Sequence, residues 1–285
     1  MLRIGCVKYL NARPLIYGWS GTVDFDHPAA LCRKLEHGDL DVALVSSLEY
    51  LRRPIYRIVD GVSISAHGAV YSVIVAHNED LSRAQKIEID PASETSVALL
   101  RCLLRQRALN PRLRVRNTDL QSVRPGKLHS AEPATTRVYA ELETADNMSA
   151  GRTGQRPVFR LLIGDQAIRF RAEHGERYRY WDLAETWTKI TSLPFAFAFW
   201  LIRPEIENAK EIADALRHLR DHNLGNLDNL VSTQSEVSPA FCRKYYRGHL
   251  FFDFGEREKA GLREFHRRCL LNKIDVAPEL RLNQV

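Results

Sequence analysis

The sequence lacks the features that identify several large classes of protein. No apolar run approaches the ~20 residues that a membrane-spanning helix needs, and the first residues contain no apolar segment with a small-residue cleavage site. The 5 cysteines are scattered without a C-x-x-C pair, so neither a disulfide framework nor a zinc site is indicated. No phosphate-binding glycine loop is present. We therefore expect a cytoplasmic protein that uses no metal, no cofactor and no membrane partner.

The composition is that of an ordinary globular protein. Of the 285 residues, 45% are hydrophobic and 27% are charged. The formal net charge is +6, but basic and acidic residues alternate, as in residues 263–268. This mixing is typical of solvated helix faces and does not favour a nucleic-acid partner. A small anionic substrate would account for the excess positive charge equally well, and the sequence leaves the oligomeric state open.

Predicted strands and helices alternate along the first half of the chain. A strand over residues 3–7, a helix over 27–38 and a strand over 40–45 form a β-α-β unit, which is the pattern of a parallel sheet. Further strands are predicted over 69–76, 86–90, 160–165 and 195–200, and further helices over 48–51, 97–106, 180–187, 206–223 and 255–268. Residues 117–157 are polar and have no clear period, which indicates an insertion. The pattern predicts an α/β protein.

Polar side chains follow several of these strands, where the chain turns towards a helix. Ligands of open α/β sheets bind beyond the carboxyl ends of the strands, and a helix N-terminus with nearby hydroxyls favours a carboxylate. The same residue types are also ordinary helix caps, and local sequence leaves both interpretations open. The candidates are Asn11, Ser46, Ser47, Ser93, Thr95, Ser96 and Asp165.

Seven ordered blocks of the chain carry a resemblance to one family. They are YLN-x-x-P (9–14), DVALVSSLEY (41–50), SV (72–73), D-x-x-S-x-TSVALL (90–100), IGD (163–165), LPF (193–195) and FGERE (254–258). Together they resemble the chorismate dehydratases of the futalosine route to menaquinone. The resemblance covers nearly the whole chain except residues 117–157.

The resemblance implies a fold and a domain organisation. The fold is α/β and of the type II periplasmic-binding-protein kind, with two lobes and a ligand cleft between them. We place the two chain crossings near residues 72–77 and 195–200. Residues 1–73 and 200–285 are then expected to form lobe 1, and residues 74–199 lobe 2, with the irregular insertion at about 117–157.

The resemblance also implies a reaction, the loss of water from chorismate to give 3-[(1-carboxyvinyl)oxy]benzoate, catalysed by a cofactor-independent hydro-lyase. Such a reaction makes an aromatic ring and needs positioning more than a strong base. We expect Asn11 and Ser72 to hold the reacting end of the substrate. The matching blocks contain no paired base, so a carboxylate of chorismate itself is our candidate proton acceptor. The expected substrate-binding residues are Tyr9, Ser46, Ser47, Ser93, Thr95, Ser96 and Asp165.

Two other functions compete with this interpretation. A non-catalytic solute-binding protein of the same fold would also line a cleft with hydroxyls and amides, but such proteins normally carry an export signal. The sibling enzyme that makes 1,4-dihydroxy-6-naphthoate is expected to show a Ser-Pro-Cys-Pro-Asn-Asp-type run after its first strand, whereas residues 8–11 here are Lys-Tyr-Leu-Asn. Two departures from the family pattern are the stretch 117–157 and Gln166, which follows the IGD block where a small residue is more usual.

Overall fold

The computed structural model describes residues 2–90, 93–116, 158–234 and 237–285. The predicted insertion at 117–157 lies outside the described residues. The strands are β1 (Ile4–Cys6), β2 (Val23–Phe25), β3 (Val42–Ser46), β4 (Arg57–Ile58), β5 (Ile64–Ala66), β6 (Val73–His77), β7 (Lys86–Ile89), β8 (Arg112–Val115), β9 (Phe159–Ile163), β10 (Arg179–Asp182) and β11 (Phe195–Ile202). The helices are α1 (Arg13–Ile16), α2 (Pro28–His37), α3 (Ser47–Arg52), α4 (Glu94–Gln106), α5 (Gly164–His174), α6 (Leu183–Thr191), α7 (Ala209–Gly225), α8 (Leu227–Ser232), α9 (Pro239–Gly248) and α10 (Glu256–Leu271).

The strands form two separate sheets. The first has the order β2-β1-β3-β11-β4, and β5 also pairs with β11. The second has the order β10-β6-β9-β7-β8. Strands β1 and β3 are parallel as predicted. Strand β2, which was not predicted, is parallel to β1, whereas β11 runs antiparallel to β3, β4 and β5. The predicted α/β class with two lobes is confirmed.

The boundaries of the two lobes stay a prediction. Strand β6 begins the second sheet at Val73, next to the predicted boundary between residues 73 and 74. Strand β11 pairs with strands of the first sheet from Phe195 to Ile202. This pairing favours a second boundary before Phe195 over the predicted one between residues 199 and 200.

Several predicted elements have different limits in the structure. Residues 179–182 form strand β10 against β6, so the predicted helix over 180–187 begins only at Leu183. The predicted strand over 69–76 begins at Val73, because Tyr71 has a φ of 69°, outside the extended region. The predicted helix over 206–223 begins at Ala209, after Pro204. The predicted strand over 160–165 ends at Ile163, and α5 begins at Gly164. Helices α5, α8 and α9 were not predicted from the sequence.

The first crossing between the sheets is fixed by the carboxylate of Asp182. One oxygen accepts the backbone N–H of Val70 at 3.2 Å, and the other accepts that of Tyr71 at 2.8 Å. The first oxygen also accepts the N–H of Glu185 at 3.0 Å, which caps α6. Burial raises the pKa of Asp182 above its usual value in spite of these three donors. The carboxylate therefore joins the first crossing to the start of α6.

Helices α3 and α4 join the two lobes on another side. The buried N–H of Leu48 donates to Thr95 Oγ1 at 3.0 Å, and Arg52 forms an ion pair with Glu94. Helix α3 follows a strand of the first sheet, whereas α4 follows a strand of the second. The two helix N-termini therefore lie against each other.

We predict that Thr95→Val lowers the free energy of unfolding by about 1–3 kcal/mol, because the buried Leu48 N–H loses its acceptor. Thr95→Ser keeps an acceptor hydroxyl at this position and is the matched control. Urea denaturation of the three proteins measures the difference. Equal midpoints for the wild type and Thr95→Val would show that this hydrogen bond contributes nothing to stability.

Gly261 lets helix α10 approach the turn before β11. A Cβ atom at this position would lie far inside van der Waals contact with the backbone carbonyl oxygen of Pro194. Around this contact Trp187, Phe195 and Phe265 pack edge to face, with ring centroids 4.8 to 6.1 Å apart. Because the clash is with backbone, the helix or the turn must shift to admit a methyl group.

We predict that Gly261→Ala lowers the free energy of unfolding by about 1–3 kcal/mol, with a matching fall in the thermal midpoint. The control is Gly225→Ala at the end of α7, where a Cβ would meet no atom within 4 Å. This second change should be neutral or should stabilise the protein by up to about 1 kcal/mol, because alanine favours helix. A Gly261→Ala protein as stable as the control would disprove the close contact.

Candidate active site

The segment after β1 is held from two directions. The backbone N–H of Leu10 donates to the Asp165 carboxylate at 3.0 Å, and the Leu10 carbonyl accepts the Tyr246 hydroxyl at 2.8 Å. Both bonds fix the short 3-10 turn Leu10–Ala12 that contains Asn11. Within the described part of the chain, the side-chain oxygen of Asn11 is buried and has no hydrogen-bond partner. A buried acceptor of this kind is a position where a ligand can donate a hydrogen bond.

Ser72 lies at the end of the first crossing and is 1% exposed. Its carbonyl accepts the N–H of Gly164 at 2.8 Å. Its hydroxyl oxygen accepts the hydroxyl of Tyr245 at 2.6 Å. The backbone before it is set by Tyr71, whose φ of 69° is unusual for a residue with a side chain. Backbone and side chain of Ser72 are therefore both fixed.

Two pairs of consecutive residues bring the predicted catalytic residues together. Gly164 binds Ser72, while its neighbour Asp165 binds Leu10 next to Asn11. On α9, Tyr245 binds Ser72, while Tyr246 binds Leu10. Each of these two pairs bonds both to Ser72 and to Leu10, the residue before Asn11. Asn11 and Ser72 therefore lie in one neighbourhood. Their catalytic role stays a prediction.

Tyr9 packs against the same junction. A Cβ at Gly164, which has a φ of 51°, would lie 3.3 Å from the Tyr9 ring, so glycine allows the ring to lie close to the backbone. Burial raises the pKa of Tyr9 to about 12, and the charges of Asp90 and Asp165 act in the same direction. The phenol is therefore neutral at physiological pH and acts as a hydrogen-bond donor.

The remaining predicted binding residues form a second group at the N-termini of α3 and α4. The hydrogen bond from the Leu48 N–H to Thr95 Oγ1 connects the two helix N-termini. The Thr95 hydroxyl therefore has a structural role as an acceptor. Ser47 is fully buried, and its hydroxyl has no partner among the described residues. Ser93 occupies the N-cap position of α4, but its side chain makes no capping bond. Ser46 is half-buried, and Ser93 and Ser96 are each 5% exposed.

The carboxylate of Asp165 has a different use from those considered from sequence. From its position after a predicted strand, Asp165 was a candidate for substrate binding or for capping the following helix. One of its oxygens accepts the N–H of Leu10 in the other lobe. The contact makes Asp165 a link between the lobes, and its expected contact with substrate stays a prediction.

Sequence analysis missed Tyr245 and Tyr246. Their helix begins with a recognisable signal, since the Ser238 hydroxyl caps α9 by accepting the N–H of Phe241 and Pro239 occupies the first turn. That signal predicts a helix, but it gives no indication that Tyr245 contacts a serine 173 positions away.

The described ranges contain neither a metal-binding cluster nor a membrane-spanning helix. No group of three or more histidine, cysteine, aspartate or glutamate side chains there has the arrangement of a metal site. No helix in the same ranges is long and apolar enough to cross a membrane.

Solved structures with the same architecture confirm the expected fold. A crystal structure of a protein from Archaeoglobus fulgidus matches with a TM-score of 0.63 at 16% identity, covering 96% of this chain and 98% of that one. The periplasmic aliphatic sulphonate binding protein of Escherichia coli matches with a TM-score of 0.58 at 13% identity, covering 99% of this chain and 94% of that one. The chain therefore has the two-lobed periplasmic-binding-protein fold.

Sequence relatives indicate the family. A chorismate dehydratase from Thermus thermophilus is 29% identical over 288 aligned residues, which cover 92% of this chain and 93% of that protein. The sequence model described as menaquinone biosynthesis matches residues 2–131 and 126–270. These matches cover most of the chain, including the segments that contain Asn11, Ser72 and Tyr245. The chain belongs to the menaquinone biosynthesis family.

Proposed function

We propose that this protein is a chorismate dehydratase, a cytoplasmic carbon–oxygen lyase that converts chorismate to 3-[(1-carboxyvinyl)oxy]benzoate and water without a cofactor. The match to a chorismate dehydratase over 92% of the chain supports the reaction. The observation that carries the proposal is the shared neighbourhood of Asn11 and Ser72, the two residues that we expect to hold the reacting end of the substrate. The pairs Gly164–Asp165 and Tyr245–Tyr246 each form one hydrogen bond with Ser72 and one with Leu10, the residue before Asn11.

The chemistry suits a site built from neutral hydrogen-bonding groups. Loss of the ring hydroxyl and of a neighbouring ring proton makes the ring aromatic, which supplies the driving force. The enzyme then has to orient the leaving hydroxyl and the proton acceptor, and such positioning lowers the barrier by removing entropy costs. In this proposal a carboxylate of chorismate takes the ring proton as the C–O bond to the ring hydroxyl breaks. The departing hydroxide then takes up that proton, directly or through solvent, and leaves as water.

Asn11 and Ser72 have complementary hydrogen-bonding roles at the reacting end of the substrate. The Asn11 amide presents a buried oxygen with no partner in the described ranges, together with an NH₂ donor beside it. The Ser72 hydroxyl accepts from Tyr245 and keeps its own proton for a substrate oxygen. The two groups therefore offer donors to the leaving hydroxyl and a carboxylate. Each charge-assisted hydrogen bond contributes about 1.5–3 kcal/mol.

The hydroxyl groups at the N-termini of α3 and α4 are proposed to bind the other carboxylate of the substrate. Helix α4 has 13 residues, and its N-terminal dipole favours an anion. Ser47 contributes a buried hydroxyl without a partner among the described residues. Tyr9 is proposed to contact the substrate between these two ends, and the action of both the Asp90 and the Asp165 charge on its phenol supports this placement.

The proposed lobes close around the substrate. Lobe 1 comprises residues 1–73 and the chain after the second crossing, and lobe 2 comprises the residues between the crossings. The bonds from Leu10 to Asp165 and from Leu48 to Thr95 join the lobes on either side of the proposed site. Closure of this kind excludes water and brings the donors together.

The test is incubation of the purified protein with chorismate and no added cofactor, followed by mass detection of a product lighter by one water. We expect turnover by the wild type and a fall in kcat/KM of about a hundredfold or more in Asn11→Ala and in Ser72→Ala. Asn229→Ala, the same change as Asn11→Ala at an exposed position on α8, is the control and should keep full activity.

Two results would contradict the proposal. Tight binding of chorismate without turnover would indicate a non-catalytic binding protein with the same fold. Full turnover in Asn11→Ala or Ser72→Ala would leave the reaction in place and remove that residue from the site. Differential scanning fluorimetry of each variant separates loss of chemistry from loss of folding.

A further inference from the structure

The hydroxyl of Tyr245 is buried against that of Ser72. Tyr245 lies on α9 and is 0% exposed, and Ser72 is 1% exposed. The two hydroxyl oxygens are 2.6 Å apart, at the short end of the range for O–H···O hydrogen bonds. Helix α9 packs directly over the first crossing, since His249, one residue beyond α9, also contacts the carbonyl of Ala69 through Nδ1 at 2.9 Å.

The direction of this hydrogen bond follows from the acidity of the two groups. A phenol is a stronger proton donor than an aliphatic hydroxyl. Burial raises the pKa of Tyr245 far above its usual value, and the negative charges of Asp165 and Asp182 act in the same direction, so the phenol keeps its proton. Tyr245 therefore donates and Ser72 accepts. The proton of Ser72 remains free to point at another acceptor.

The Tyr245 ring is held in place by its neighbours. It stacks on Phe241 with centroids 5.7 Å apart and an interplanar angle of 18°. Tyr246 and His249 lie 6.0 and 6.4 Å from it, centroid to centroid. A ring packed on several sides presents its hydroxyl at a fixed point, so it fixes the rotamer of the serine that accepts from it.

We propose that Tyr245 is a positioning residue that orients the Ser72 hydroxyl proton towards a substrate oxygen. The inference rests on the proposed function, since it assigns Tyr245 a role in that site. Tyr245 itself makes no contact with substrate in this arrangement. Its effect passes through Ser72 alone, because its single hydroxyl proton is given to that oxygen.

The first measurement is steady-state kinetics of Tyr245→Phe with chorismate. Removal of the donor frees the Ser72 hydroxyl to rotate, and we expect kcat to fall about tenfold to a hundredfold. KM should change by less than about threefold, because the lost orientation matters most in the transition state. The matched control is Tyr50→Phe, which deletes another fully buried tyrosine hydroxyl, one bonded to the Arg281 carbonyl at 2.6 Å.

A double-mutant cycle separates positioning from a structural role. If Tyr245 acts only through Ser72, Tyr245→Phe should have no further effect on kcat in a Ser72→Ala background. Multiplicative losses in the double variant would overturn the inference, because they would give Tyr245 a role independent of Ser72. Wild-type kcat in Tyr245→Phe would overturn it as well.

Unnatural amino acids at position 245 give a second, size-matched test. 4-Fluorophenylalanine fills the space of the hydroxyl without a donor and should reproduce the loss in kcat, even if phenylalanine leaves a void that impairs folding. 4-Aminophenylalanine restores an N–H donor and should recover most of the activity. Equal activity of the fluoro and amino variants would contradict the inference, since only the second can donate a hydrogen bond.

The failure of this inference is distinguishable from the failure of the proposed function. No turnover of chorismate by the wild type, or full activity in Ser72→Ala, removes the proposed site and the inference with it. Turnover that depends on Ser72 and is unaffected by Tyr245→Phe leaves the proposed function standing and removes the positioning role alone.

Discussion

The structure depends on the carboxylate of Asp182, which holds the chain where it first passes from one sheet to the other. Tyr71 has a left-handed backbone there, with a φ of 69°, a conformation that costs about 1–3 kcal/mol for a residue with a side chain. Asp182 binds the amides of Val70 and Tyr71, and Arg171 donates to the Tyr71 carbonyl at 2.9 Å and stacks on its ring. These contacts offset the strain, and the turn they impose directs Ser72 towards α9.

The neighbourhood of Asn11 and Ser72 combines neutral hydroxyl donors with the half-buried carboxylate of Asp165. Burial raises the pKa values of Tyr9, Tyr245 and Tyr246, so all three phenols keep their protons at physiological pH. A site of this kind stabilises a bound anion by orientation of dipoles that are already in place.

Local sequence signals were sufficient to predict many of the helices and strands, but few of the contacts between them. Helix α2 was predictable because Pro28 lies in its first turn and Gly38 ends it with a φ of 79°. Strand β10 was predicted as part of a helix, because four residues fit the hydrophobic period of a helix as well as that of a strand. Its strand conformation is determined by pairing with β6, about a hundred positions earlier in the chain. The candidate site shows the same difference between local signals and long-range contacts. Asn11 was recognisable at the end of a strand, whereas Tyr245 carries no local mark of its contact with Ser72.

The central position of β11 has a consequence for the synthesis of the chain. Strand β11 joins β3 to β4 and β5, so these early strands have no common partner until residue 202 has been translated. The strands of the second sheet lie together in the chain between residues 73 and 182. That sheet can therefore form on the ribosome while β3 still exposes an unpaired edge, a state in which nascent chains are prone to association. Closure of the first sheet therefore waits for contacts of long sequence separation, which form slowly.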